Sequence, residues 1–203
     1  MISAVVLDFG GVIVRTEDHK GRLELEEKYQ LPPGGSNQLV FYSSIADSAT
    51  IGMAEPDEIW EHVANKLALS HDELNQFKQS FWSGDNMDEE LIHFLKSCKP
   101  NYKTAILSNA WKNLREVLAE TYNIVEGQTV DHILISAELG VAKPDPKIYK
   151  ILANTLDCQY HEILFVDDFV ENIQAAKSLG IQTIHYQPHM HLINEIKSRL
   201  ESL

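Results

Sequence analysis

The chain has 203 residues, 44% of them hydrophobic, and a formal net charge of −13 at pH 7. That is length for one domain, or for a core with a modest insertion, and enough apolar mass to bury a substantial interior. The acidic balance excludes nucleic acid as the main partner, because a phosphate backbone selects a basic surface.

Ile2 to Leu7 is a short, Val-rich apolar run that ends at Asp8 and is followed by Gly10 and Gly11. It reads as a buried strand, and a carboxylate at the end of such a strand is costly without a partner or a task. Residues 15–95 then change character, with charged residues at helical spacing and no strong strand run. Glu17 to Tyr29 reads as a helix, stopped by Pro32-Pro33-Gly34-Gly35, and Leu39 to Ala46 as a second. Pro56 stands at the first turn of a third, whose apolar stripe is Ile59, Trp60, Val63 and Leu67. Ser70 and Glu73 form a capping box that opens a fourth toward Phe81. Met87 to Cys98 is a fifth amphipathic segment.

Beyond Pro100, strand and helix alternate. Thr104–Ser108, His132–Ser136, Glu162–Asp168 and Gln182–Tyr186 are strands. Helices are expected after Trp111, over Pro146–Leu156 and Asn172–Leu179, and over Leu192–Leu200. Repeated β-then-α units with near-continuous apolar strands imply a parallel sheet covered on both faces. The fold class is therefore α/β: a Rossmann-like parallel core, residues 1–14 and 86–203, with an α-helical cap inserted over residues 15–85. Cys98 and Cys158 lie far apart in no metal-ligand spacing, which implies a reducing compartment. With no basic leader and no apolar stretch of membrane-span length, a cytoplasmic location and no membrane partner are expected. Nothing in the sequence separates monomer from dimer.

Open parallel sheets bind ligands beyond the carboxyl ends of their strands. The residues that follow the strands here are Asp8 and the glycine pair, then Ser108 and Asn109, then Lys143, then Asp167 and Asp168. Three carboxylates at close quarters repel unless a cation sits among them, and hard oxygen ligands select Mg²⁺. Lys143, Ser108 and Asn109 supply donors for phosphate oxygens. A carboxylate such as Asp8 can itself attack phosphorus. Strand ends and spacing thus point to Mg²⁺-dependent handling of a small phosphorylated metabolite. His185, His189 and His191 lack a matched ligand set, so they read as solvated or structural. Trp60, Trp82 and Trp111 read as packing residues, with Trp111 a candidate for the substrate entrance.

Four of these pieces resemble, in order, the four motifs of the haloacid dehalogenase (HAD) superfamily. They are Asp8-Phe9-Gly10-Gly11-Val12, Leu107-Ser108-Asn109, Lys143-Pro144, and Phe165-Val166-Asp167-Asp168 with Asn172 four residues on. Glu138 to Tyr149 is similar to the branch holding sugar-phosphate phosphatases and the N-terminal phosphatase domain of soluble epoxide hydrolases. The resemblance implies a hydrolase, a phosphatase working through an aspartyl-phosphate. It makes Asp8 nucleophile and metal ligand, Gly10 a metal ligand through its backbone carbonyl, and Asp168 the second metal carboxylate. Ser108 and Asn109 would bind the phosphoryl group, Lys143 would neutralise charge, and Asp167 and Asn172 would support the site. One position departs from the pattern. The family's phosphatases carry an acid-base Asp where this chain has Gly10. That leaves alternatives open: a substitute acid-base group, a water or one of Glu17, Asp18 and His19 just downstream; a haloacid dehalogenase, whose Asp attacks carbon without a metal; and a weak or inactive phosphate-binding protein.

Overall fold

The computed structural model describes residues 1–201. The chain opens with β1 (Ala4–Leu7) and β2 (Val14–Thr16). Five helices follow: α1 (Lys20–Lys28), α2 (Gly35–Phe41), α3 (Ser44–Thr50), α4 (Pro56–Leu67) and α5 (His71–Trp82). Then come β3 (Asp85–Met87), α6 (Glu89–Cys98), β4 (Lys103–Ser108), α7 (Leu114–Glu120), β5 (His132–Ile135) and α8 (Ser136–Leu139). The chain closes with α9 (Pro146–Leu156), β6 (Ile163–Asp167), α10 (Val170–Ser178), β7 (Gln182–His185) and α11 (Leu192–Glu201).

β5, β4, β1, β6 and β7 lie side by side in that order as one parallel sheet. Successive side chains of β1 go to opposite faces: Val5 and Leu7 join one apolar cluster, Ala4 and Val6 the other. β6 does the same, with Leu164 and Val166 on one side and Ile163 and Phe165 on the other. This is why the strands read as unbroken apolar runs. Each such side chain, once buried, contributes roughly 1.5–3 kcal/mol. The connections run from β1 outward to β4 and β5, then jump back across β1 to β6. The strand order reverses at the centre of the sheet, and its C-terminal edge there is where a ligand crevice forms in such sheets.

α1 to α5 form a separate helical layer between β2 and β3, with its own apolar centre of Leu25, Val40, Trp60, Val63, Phe77 and Phe81. Two of its helices open on complete capping boxes, at Glu55 with Glu58 and at Ser70 with Glu73. The expected single helix over Leu39–Ala46 is two. Tyr42 closes α2, and the Ser43 hydroxyl caps α3 by accepting from the Ala46 N–H at 3.1 Å. The sequence also hid a strand pair. β2 and β3 form an antiparallel ribbon, Val14 opposite Met87 and Thr16 opposite Asp85, through which both chain crossings into the helical layer pass. A second contact lies on the far side. The Ser136 hydroxyl donates to the Thr50 carbonyl at 2.6 Å, and Lys112 pairs with Glu55. Among the described residues no helix is long and apolar enough to cross a membrane.

Candidate active site

Asp8 leaves the end of β1 with only 6% of its surface exposed. Its Oδ1 accepts the Phe9 N–H at 2.6 Å. Its Oδ2 faces the Lys143 ammonium at 3.0 Å. Lys143 is equally buried, and its three donors have three acceptors: Asp8 Oδ2, Asp167 Oδ2 at 2.6 Å and the Leu107 carbonyl at 3.0 Å. The ammonium is thereby fixed as a charge between two carboxylates, 5.5 Å from the Phe165 ring centroid. Burial, against the pull of Lys143 and with the push of Asp167 and Asp168, raises the Asp8 carboxyl to about 8. Burial works against the Lys143 charge, but Asp8 and Asp167 outweigh it and hold its pKa above the usual lysine value.

Asp167 and Asp168 end β6 and do different things. Asp167 is fully buried and fully bonded. Besides Lys143, it accepts from the Phe169 N–H at 2.8 Å and from the Asn172 amide at 3.0 and 3.1 Å. Asn172 is held in turn by the Tyr149 hydroxyl, which donates to its backbone carbonyl at 2.9 Å. Burial, Asp167 and Asp8 push the Tyr149 phenol up, so that it stays a donor. Asp168 is the opposite case: its Oδ1 is buried and has no hydrogen-bond partner. Burial, then Asp167, raises its pKa.

Asn109 is placed by a bond the sequence does not reveal. Its amide pairs with the Lys143 backbone in both directions, donating to the carbonyl and accepting from the N–H, each at 2.8 Å. It therefore ties the end of β4 to the lysine loop and retains one N–H for a ligand. The Ser108 hydroxyl beside it makes no hydrogen bond among the described residues. The two glycines are unlike each other. Gly11 has φ +83°, and a Cβ there would stand 2.2 Å from Asp168 Oδ2. At Gly10, which lacks that positive φ, a Cβ would meet nothing within 4 Å. The structure thus brings Asp8, Gly10, Ser108, Asn109, Lys143, Asp168 and Asn172 onto one cleft of about 2100 Å³, with Asp167 directly behind Lys143. His185 lies outside the cleft lining, its Nε2 3.0 Å from the Asp168 carbonyl, while His189 and His191 line the cleft's edge.

Sequence reasoning passed over Tyr149 and Gly11 as the floor under Asp168. Arg22 is the clearest omission. It is buried, donates twice to Asp85 (2.8 and 3.0 Å), and stacks its guanidinium 4.4 Å from the Phe81 ring centroid. Its only signal is a basic residue on the otherwise weakly amphipathic α1.

The donor set fits a divalent cation. One carboxylate oxygen from each of Asp8, Asp167 and Asp168 lies within 4.8 Å of the others. Lys143 supplies a single compensating charge. Asp167 is already saturated, whereas Asp168 Oδ1 is buried without a partner. An orphaned buried carboxylate oxygen beside a second acid is a ligand atom waiting for a hard cation.

The family model for haloacid dehalogenase-like hydrolases matches residues 2–180. Bifunctional epoxide hydrolase 2 of Rattus norvegicus is 30% identical over 102 residues, 49% of this chain and 18% of that protein, so the matched stretch spans under a fifth of that relative's length. D-ribitol-5-phosphate phosphatase of Bacteroides thetaiotaomicron is 26% identical over 195 residues, 93% of this chain and 92% of that protein. Among solved structures, a HAD family enzyme of Bacteroides thetaiotaomicron in complex with magnesium and inorganic phosphate superposes with a TM-score of 0.77 at 19% identity. It covers 94% of this chain and 96% of that one.

Proposed function

We propose, for a chain that belongs to the haloacid dehalogenase-like hydrolase family, a Mg²⁺-dependent phosphatase acting on a small phosphorylated metabolite through an aspartyl-phosphate on Asp8. The observation that carries this reading is the contrast between the two acids of β6. Asp167 is spent on Lys143 and Asn172, while Asp168 keeps a buried oxygen free beside Asp8. Asp8, Asp168 and the Gly10 carbonyl would hold the ion, which when bound supplies charge neutralisation and polarises a phosphoryl oxygen.

The rest falls to the chain itself. Lys143, standing 3.0 Å from Oδ2, favours the ionised form of Asp8 against the burial that raises its pKa. Asp167, Asn172 and the Leu107 carbonyl fix that ammonium so that it does not reorganise during the reaction. The Ser108 hydroxyl and the remaining Asn109 N–H donate to phosphoryl oxygens. An Asp8 oxygen bonds to phosphorus as the bond from phosphorus to the substrate oxygen breaks. Water then attacks phosphorus, releasing phosphate and restoring the carboxylate. The helical layer over residues 15–85 closes the crevice above these groups and sets which substrates enter. The names of relatives such as D-ribitol-5-phosphate phosphatase support the substrate class.

The test is p-nitrophenyl phosphate turnover with Mg²⁺, with EDTA, and in Asp8→Asn, run beside 2-haloacids. Activity that needs both Mg²⁺ and Asp8 is expected. Activity in Asp8→Asn equal to the wild type overturns the nucleophile. Haloacid turnover that survives EDTA establishes the dehalogenase reading instead.

A further inference from the structure

Three features of the cleft lie outside the phosphoryl chemistry, and they converge on the group that leaves. The first is Gly10, two residues past Asp8. A side chain there would find open space, with no heavy atom within 4 Å of its Cβ, and the backbone lacks the positive φ that fixes a glycine at Gly11. Glycine itself brings no carboxyl, imidazole or phenol to that place.

The second is a closed circuit of aromatic rings. Phe41 at the end of α2 lies 5.7 Å from Trp82 of α5 and 6.0 Å from Trp111. Trp60 of α4 lies 6.3 Å from the same Trp82 and 6.2 Å from the same Trp111. All four line the cleft that holds Asp8, and Trp111 comes three residues after Ser108. Trp82 remains 39% exposed, so ring surface is left for a ligand.

The third is charge. Arg15, Arg22 and Lys143 are the only arginines and lysines on this cleft among the described residues. Each is already paired: Arg15 with Asp88 and Glu17, Arg22 with Asp85, Lys143 with Asp8 and Asp167. A second phosphate or a carboxylate on the substrate would find no arginine or lysine free of an acidic partner.

We infer that the substrate is an aryl phosphate monoester, one phosphoryl group on an otherwise uncharged aromatic skeleton; this rests on the phosphatase reading above. An Asp8 oxygen forms the new bond to phosphorus, the phosphorus–aryloxide bond breaks, and its electron pair leaves on the phenolic oxygen. That oxygen takes its proton from solvent. Water then attacks the phosphoryl-aspartate, giving phosphate, the Asp8 carboxylate and a proton to solvent. A phenol ionises near 10 and an alkanol near the 15.7 of water, so only the aryloxide departs readily without a donor. The rings supply the stacking surface for the same group.

The test compares kcat/KM, which reports the first step, across substituted phenyl phosphates, alkyl phosphates and acetyl phosphate. Acetyl phosphate has no ring and leaves as a carboxylate. If it shows no Asp8-dependent turnover, the phosphatase reading itself fails. If it turns over, the expected result is a steep dependence on leaving-group pKa, with alkyl phosphates at least about 10²-fold below phenyl phosphate. Gly10→Asp should raise the alkyl rates and Gly10→Asn, of the same size, should not. Trp82→Leu should raise KM for phenyl phosphate roughly 3- to 10-fold more than for acetyl phosphate. Alkyl and aryl rates within threefold of each other overturn the inference. So does a loss confined to alkyl phosphates in Tyr122→Phe, since the Tyr122 phenol lines the same cleft and would then be a proton donor. Equal effects of Gly10→Asp and Gly10→Asn also overturn it.

Discussion

Replacing Gly11 by alanine places a methyl group against Asp168. The new Cβ would stand 2.2 Å from Oδ2, 2.4 Å from Cγ and 2.6 Å from Oδ1, where contacts under 3.0 Å force a shift. The backbone is also held at φ +83°, a region that costs an L-residue about 1–2 kcal/mol. Either the turn opens or the carboxylate swings away, and the buried oxygen proposed to hold the cation goes with it. Displacing a group that orients a metal site typically costs 10- to 100-fold in affinity. Gly11→Ala is therefore expected to lose about 1–2 kcal/mol of stability without metal and at least tenfold in Mg²⁺ affinity. Gly10→Ala, with nothing within 4 Å of its Cβ, is the matched control and should change neither. Chemical denaturation with and without Mg²⁺ and calorimetric Mg²⁺ titration measure both quantities. Unaltered Mg²⁺ affinity in Gly11→Ala, or equal damage in Gly10→Ala, refutes the reasoning that Asp168 is a metal carboxylate set by its contact with Gly11.

Two further outcomes concern the frame around the site. Asp85→Ala leaves the Arg22 guanidinium buried with its main partner gone, and should cost about 3 kcal/mol in denaturant unfolding, part of which Arg22→Met recovers in the double variant. Burial works against the Asp131 carboxylate, but the Lys99 ammonium at 3.0 Å and the Thr104 N–H and hydroxyl outweigh it and hold its pKa below the usual value. A depressed folded-state pKa adds stability above the ordinary carboxylate value of about 3.9 and loses it as pH falls through the folded value. Asp131→Asn should therefore be less stable than the wild type at pH 7, with the gap closing below pH 4. A gap independent of pH would show that the charge is not what Asp131 contributes.

The sheet and its edge were legible because both are local signals. An unbroken apolar run such as Ala4 to Leu7 dictates a strand buried on both faces, and the polar residues that end such runs must share one edge. Asp8, Asp167 and Asp168 end such runs, and Lys143 precedes α9, the helix expected after the sheet's third strand. What stayed hidden depends on partners far along the chain. Val14-Arg15-Thr16 and Asp85-Asn86-Met87 are too short and too polar to read as strands until they are paired across the whole helical layer. Asn109 gives no hint that its amide will clasp the Lys143 backbone. Phe41, Trp60, Trp82 and Trp111 sit on four separate segments, so their circuit exists only after folding. The split of the expected Leu39–Ala46 helix is different: Ser43 is an ordinary N-cap residue, and weighing it would have placed the break.

The proposed catalysis turns on a covalent bond between phosphorus and Asp8. Turnover of p-nitrophenyl phosphate with Mg²⁺, quenched in acid before completion and mapped by peptide mass spectrometry, reads that bond directly. A phosphoryl group on the peptide containing Asp8, absent in Asp8→Asn, is the predicted result. Steady turnover with no label on that peptide, and inversion of configuration at phosphorus, the mark of a single direct displacement, would contradict it.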